Sequence, residues 1–96
     1  MGDPKYIKKL ELIYSVEFGN ISDKVQTEIL LAVKRVLTKK EYKVCFQFMD
    51  ESSAEVMSKI NSTKAEYDLH IKKAMRKLKD AKLQNLILEM VKNENS

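Results

Sequence analysis

Residues 53–78 read SAEVMSKINSTKAEYDLHIKKAMRKL, and this stretch decides the fold. Val56 and Ile60 stand four apart, as do Tyr67 and Ile71, and Ala74, Met75 and Leu78 continue the second set. Apolar residues at helical spacing on both sides of a polar break predict two amphipathic helices. The break is Asn61-Ser62, two residue types that favour turns and caps. Ser53 is placed to cap the first helix, which runs through Ile60, and Ser62 to cap the second, which begins at Thr63.

A short helix, a tight turn and a longer basic helix are the parts of a helix-turn-helix. The apolar positions on either side of the turn serve the crossing, and the small Ala74 lets the helices approach closely. Thr63, Lys64, Glu66, Asp68, Leu69 and Lys72 are then left pointing outward.

Working outward, Thr38-Lys39-Lys40-Glu41 is a capping box that opens a helix to about Met49. Tyr42, Cys45, Phe46 and Met49 form its inner face. Ser22 caps a cleaner amphipathic helix to Val36, with Val25, Ile29, Ala32, Val33 and Val36 inward. Asp3-Pro4 opens the first helix, which runs to about Glu17 and stops at Gly19-Asn20. Tyr6, Leu10, Ile13 and Tyr14 are its stripe, widened by Ile7 and Leu12. Downstream of Leu78 the apolar phase changes to Leu83, Leu86, Ile87, Met90 and Val91. A bend, a new helix or one helix with a second apolar face would each explain this, and residues 93–96 are expected to fray. The expected fold is all-α, about five helices with a C-terminal helix-turn-helix and a long last helix. It forms one domain over residues 1–96: a helical pair (1–36), the helix-turn-helix part (37–79) and a helical extension (80–93).

Composition agrees. Two Gly and one Pro among 96 residues leave few helix breakers. With a single Cys there is no intrachain disulfide, and Cys45 in an apolar run reads as a buried, inert thiol in a reducing compartment. The start Met1-Gly2-Asp3-Pro4 lacks a signal-peptide pattern, and no apolar run is long enough to span a membrane. A cytoplasmic location is expected. The net charge is +4, and residues 61–84 hold seven basic residues against three acidic ones, an excess as large as that of the whole chain. A clustered basic stretch is the footprint of a phosphate-backbone binder, although a solvated helix face gives the same pattern.

Residues 55–78 resemble, without a gap, the C-terminal helix-turn-helix (region 4) of bacterial sigma factors, and are similar to the related module of response regulators of the LuxR type. Val56 and Ile60 fall on the first helix's aliphatic positions, Asn61 on the turn position that is often Gly, and Tyr67 and Ile71 on the recognition helix's aliphatic positions. Ala74-Met75-Arg76-Lys77-Leu78 matches the closing Ala-x-basic-basic-Leu, and Leu37-Thr38-Lys39-Lys40-Glu41 the opening Leu-Thr/Pro-x-x-Glu. Met57 departs from the usual Ala, and Glu66 and Asp68 put acid on the recognition helix.

The resemblance implies double-stranded DNA as partner, with RNA polymerase or a sigma factor as a protein partner, in a bacterial or phage-encoded transcription regulator of the small phage or mobile-element kind. The chain is too short to be a full sigma factor. Thr63, Lys64, Glu66, Leu69 and Lys72 or Lys73 would face the groove. Ser53, Lys59, Ser62, Arg76 and Lys77 would meet phosphates.

Leu83, Leu86, Ile87 and Met90 would either pack on the N-terminal helices or form a homodimer seam. No enzyme, metal or cofactor is expected: one His and one Cys lack clustered partners, and two glycines build no phosphate loop. The competing class is a protein–protein adaptor of the transcription machinery, with Glu66 and Asp68 as contact residues.

Overall fold

The computed structural model describes residues 4–95. Among them the regular structure is all helical: α1 (Pro4–Tyr14), α2 (Asp23–Val36), α3 (Lys39–Tyr42), α4 (Ser53–Ile60), α5 (Lys64–Leu78) and α6 (Ala81–Asn95). A π-helical turn, Lys43–Gln47, prolongs α3. The class is the expected one, with six helices rather than about five. No helix of the described residues is long and apolar enough to cross a membrane.

The α1 stripe buries Ile7, Leu10 and Tyr14, but Leu12 is 80% exposed and takes no part. The expected Asp3 cap lies outside the described residues. The helix stops at Tyr14, three residues before the expected Glu17. There Ser15 takes a left-handed conformation (φ 56°). Its N–H donates to the Leu12 carbonyl at 3.3 Å and the Val16 N–H to the Glu11 carbonyl at 3.1 Å, a Schellman closure without glycine. Gly19 (φ 69°) makes a later bend in the connection. Between them Phe18, unassigned from sequence, is buried in the core. Its N–H donates to the Glu11 carboxylate at 2.8 Å, and its carbonyl accepts from Asn95 Nδ2 at 2.7 Å.

Ser22 caps α2, its hydroxyl accepting the Val25 N–H at 3.3 Å. The α2 face Ile29, Ala32 and Val33 is buried, and α6 packs along it. On α6, Leu83, Ile87 and Val91 are buried at four-residue spacing. Helix α6 does not fray at Asn93. It continues to Asn95, because Glu94 accepts the Ser22 N–H at 3.1 Å and Asn95 holds Phe18.

Of the three explanations for the phase change after Leu78, a new helix is the observed one. Lys79 and Asp80 leave the helical path, and the Asp80 carboxylate accepts the Lys82 N–H at 3.1 Å, capping α6.

The Thr38–Glu41 capping box forms as expected. Beyond it the wide turn buries Val44, Cys45 and Phe46 in succession, a segment enclosed on almost every side. Tyr6, Tyr42 and Phe46 meet at ring-centroid distances of 5.6–6.3 Å, joining α1 to this segment. Burial pushes the Cys45 thiol pKa up, in keeping with an inert thiol.

The far end of α5 is closed by Tyr14, whose hydroxyl donates to the Leu78 carbonyl at 2.7 Å inside the core. Burial pushes this phenol up to about 12, so it remains a donor throughout the neutral range. Tyr14→Phe should cost about 1–2 kcal/mol by leaving a buried carbonyl unpaired. Chemical denaturation at neutral pH measures it, and a neutral outcome would mean that water reaches Leu78.

Candidate nucleic-acid interface

The α4–α5 unit is built from local bonds. Ser52, not Ser53, caps α4, accepting the Glu55 N–H at 3.2 Å. Asn61 adopts a left-handed conformation (φ 52°, ψ 54°). This aims its N–H at the Ser58 carbonyl (3.3 Å) and the Ser62 N–H at the Met57 carbonyl (3.0 Å). Asn tolerates this conformation because its short polar side chain bonds locally.

Thr63, not Ser62, caps α5. Its hydroxyl accepts the Glu66 N–H at 3.2 Å while Glu66 accepts the Thr63 N–H at 3.0 Å. The pattern Thr-x-x-Glu marks this second capping box, one residue beyond the Ser62 cap expected from the sequence.

The helical phase of α5 sorts its side chains. Ala74 and Leu78 are buried and Tyr67, Ile71 and Met75 half-buried, so the opposite face is free. Ala65, Leu69, Lys72 and Arg76 follow each other there at i, i+4, i+7 and i+11, flanked by Lys64, Asp68 and Lys73, all exposed. Leu69 is 46% exposed although apolar. Among the described residues, Lys64, Lys72, Lys73 and Arg76 make no ion pair. Ala65 was missed from the sequence, and the phase set by Leu69 and Lys72 would have found it.

Other expected contacts are placed differently. Glu66 is exposed, but its carboxylate is folded back on the helix start. The Thr63 backbone N–H, then the Thr63 hydroxyl, hold its pKa below the ordinary value. Thr63 is likewise committed to the cap. The Ser62 hydroxyl oxygen is buried and turned from solvent. Ser53 is exposed in the first turn of α4. Lys59 pairs with Glu51 and stands 4.8 Å over the Phe48 ring.

Lys77 turns inward to Glu41, Nζ to Oε1 at 2.7 Å. Glu41 is the one buried charged residue among those described. Burial pushes its pKa up, but the hydrogen bonds from Lys77 and Thr38 and the Lys77 charge outweigh this and hold it below the usual 4.5. Lys77 is therefore a structural cation, not a free phosphate contact.

Of the four seam residues, Leu83 and Ile87 are buried in the chain's own core, Met90 is half-buried and Leu86 is 47% exposed. Among the described residues no three His, Cys, Asp or Glu side chains gather to hold a metal ion. No protein-family model, curated protein or solved structure matches the chain.

Removing Lys77 would strand a buried carboxylate. Lys77→Met should destabilise by about 2 kcal/mol, less than for a fully buried pair because Lys77 is partly exposed, while Lys73→Met should be near neutral. Because the folded Glu41 pKa is depressed, its contribution is present above the unfolded value of about 4.5 and is lost as pH falls through the folded value. The gap in melting temperature between wild type and Glu41→Gln should therefore close on acidification below pH 4.5. Melting curves at stepped pH decide it, and a constant gap would refute the assignment.

Proposed function

We propose that the chain is a DNA-binding transcription regulator that lays α5 in the major groove of double-stranded DNA. The observation that carries this is the outward face of α5: a row of Ala65, Leu69, Lys72 and Arg76 flanked by Lys64 and Lys73, its four cations making no ion pair among the described residues. Lys64 and Lys73 at the flanks, and the long side chains of Lys72 and Arg76 toward the carboxyl end, can reach phosphates, while the small or apolar Ala65 and Leu69 nearer the amino end can pass against base edges, including the thymine methyl.

The α4 turn brings the chain in at the amino end of α5, where helix-turn-helix proteins make their base contacts. Thr63 and Glu66 sit at this end, and the capping box leaves the second Glu66 oxygen to accept from cytosine N4. The likeness to sigma region 4 over residues 55–78 supports the regulatory part of the reading and suggests RNA polymerase or a sigma factor as protein partner.

Titration of fluorescent duplexes at two salt concentrations tests this. With about four phosphates neutralised, affinity should fall roughly 10²-fold between about 50 and 200 mM salt. Lys72→Ala and Arg76→Ala should each weaken binding and lower the salt slope by about one, while Lys24→Ala, in the first turn of α2, should leave both unchanged. Leu69→Ala should alter the preference among sequences more than the salt slope. Absence of binding at the lower salt would overturn the reading and favour the adaptor class.

A further inference from the structure

The last turn of α2, the end of α5 and the start of α6 enclose a surface groove of about 700 Å³. This volume lies within the range of binding clefts. Its floor is apolar, with Ala32 and Leu83 beneath and Val36 and Leu86 at the surface. Val36 is 39% and Leu86 47% exposed, so two large aliphatic side chains face solvent in one depression. The rim is cationic: Arg35, Arg76 and Lys82 stand around the floor without an ion pair among the described residues.

Two charged groups at the rim are already engaged. Lys77 is held by Glu41, and the Asp80 carboxylate accepts the Lys82 N–H. Asp80 caps α6 with one oxygen and makes no ion pair with the rim cations among the described residues; its charge leaves the three free cations in excess.

Helix electrostatics explain only part of the rim. Arg35 and Arg76 lie in the last turns of α2 and α5, where a cation is favoured. Lys82 lies in the first turn of α6, where a cation is disfavoured, yet it borders the same apolar floor. A positive charge kept against the helix dipole beside exposed Val36 and Leu86 fits a ligand that is both acidic and apolar.

We infer that this groove binds an acidic amphipathic helix of a partner protein, with two apolar anchors three or four residues apart and Asp or Glu beside them. The anchors cover Val36, Leu83 and Leu86, and the carboxylates meet Arg35, Arg76 and Lys82. DNA phosphates match the rim but not the floor. A second copy of this chain matches the floor but brings a net charge of +4 to a cationic rim. The inference does not rest on DNA binding: Arg76 is shared by the two surfaces, but Arg35, Lys82 and Leu86 lie outside the outward face of α5.

Selection of a displayed library of random 15-residue peptides against the full chain tests it, followed by fluorescence anisotropy with the enriched peptides. The expected winners are acidic, carry paired apolar anchors and bind more weakly as salt rises. Leu86→Glu should weaken them by at least about tenfold, as for an interface anchor, and Arg35→Gln by a smaller factor. Lys64→Ala should not affect them. Leu86→Ala, a milder change at an exposed site, and circular dichroism melting separate lost binding from lost folding. No enrichment, enrichment of neutral or basic peptides, or equal binding to Leu86→Glu would overturn the inference. So would self-association of the wild-type chain at tens of micromolar that Leu86→Glu abolishes. Loss of duplex binding with peptide binding intact would count against the DNA reading alone.

Discussion

A carboxylate buried in a helical core must be compensated, and Glu41 is the group around which this protein is arranged. One of its oxygens accepts from both the Thr38 backbone and Lys77, so a single atom closes the start of α3 and pins that helix to α5. Once Lys77 faces inward, the rotation of α5 about its own axis is settled. Ala74 and Leu78 go into the core, and Leu69, Lys72 and Arg76 go out. Tyr14 holds the same carboxyl end of the helix through the carbonyl of the neighbouring Leu78. The presentation of the outward face thus depends on two polar contacts made on the inward one.

The charges divide by sign in a way that net charge conceals. Several carboxylates are spent on backbone amides: Glu41 on Thr38, Glu66 on Thr63, Asp80 on Lys82, Glu94 on Ser22 and Glu11 on Phe18. Each satisfies a donor at a helix start or in a connection, where the backbone has no helical acceptor. Lysine and arginine cannot accept hydrogen bonds, so they cannot serve these positions, and most remain solvated. These carboxylates keep their negative charge; the outward face of α5 is cationic because Lys64, Lys72, Lys73 and Arg76 outnumber Asp68 there.

Much of the fold was legible because helices announce themselves locally. The Thr38–Glu41 box, the Ser22 cap, the turn at Asn61 and the spacing Tyr67, Ile71, Ala74, Leu78 were all read at or close to their observed positions. Where boundaries moved, a local competitor decided: Ser52 over Ser53, Thr63 over Ser62, and a left-handed Ser15 in place of the glycine at position 19. Adjacent capping residues differ little in intrinsic preference, so the choice rests on which one the docked helix allows. Phe18 and Asn95 were not legible as partners, because 77 positions separate them and neither belongs to a periodic pattern.

By itself, then, the order of residues determined the helical class, the helix-turn-helix spacing and the basic character of α5, since each depends on neighbours within one or two turns. Only the tertiary structure decided which cations are free, that Leu83 and Ile87 belong to the core rather than to a seam, and that three helix ends close around an apolar groove. Those outcomes depend on burial and on contacts between segments remote in sequence. A lysine looks the same in the chain whether it will face a phosphate or a buried carboxylate.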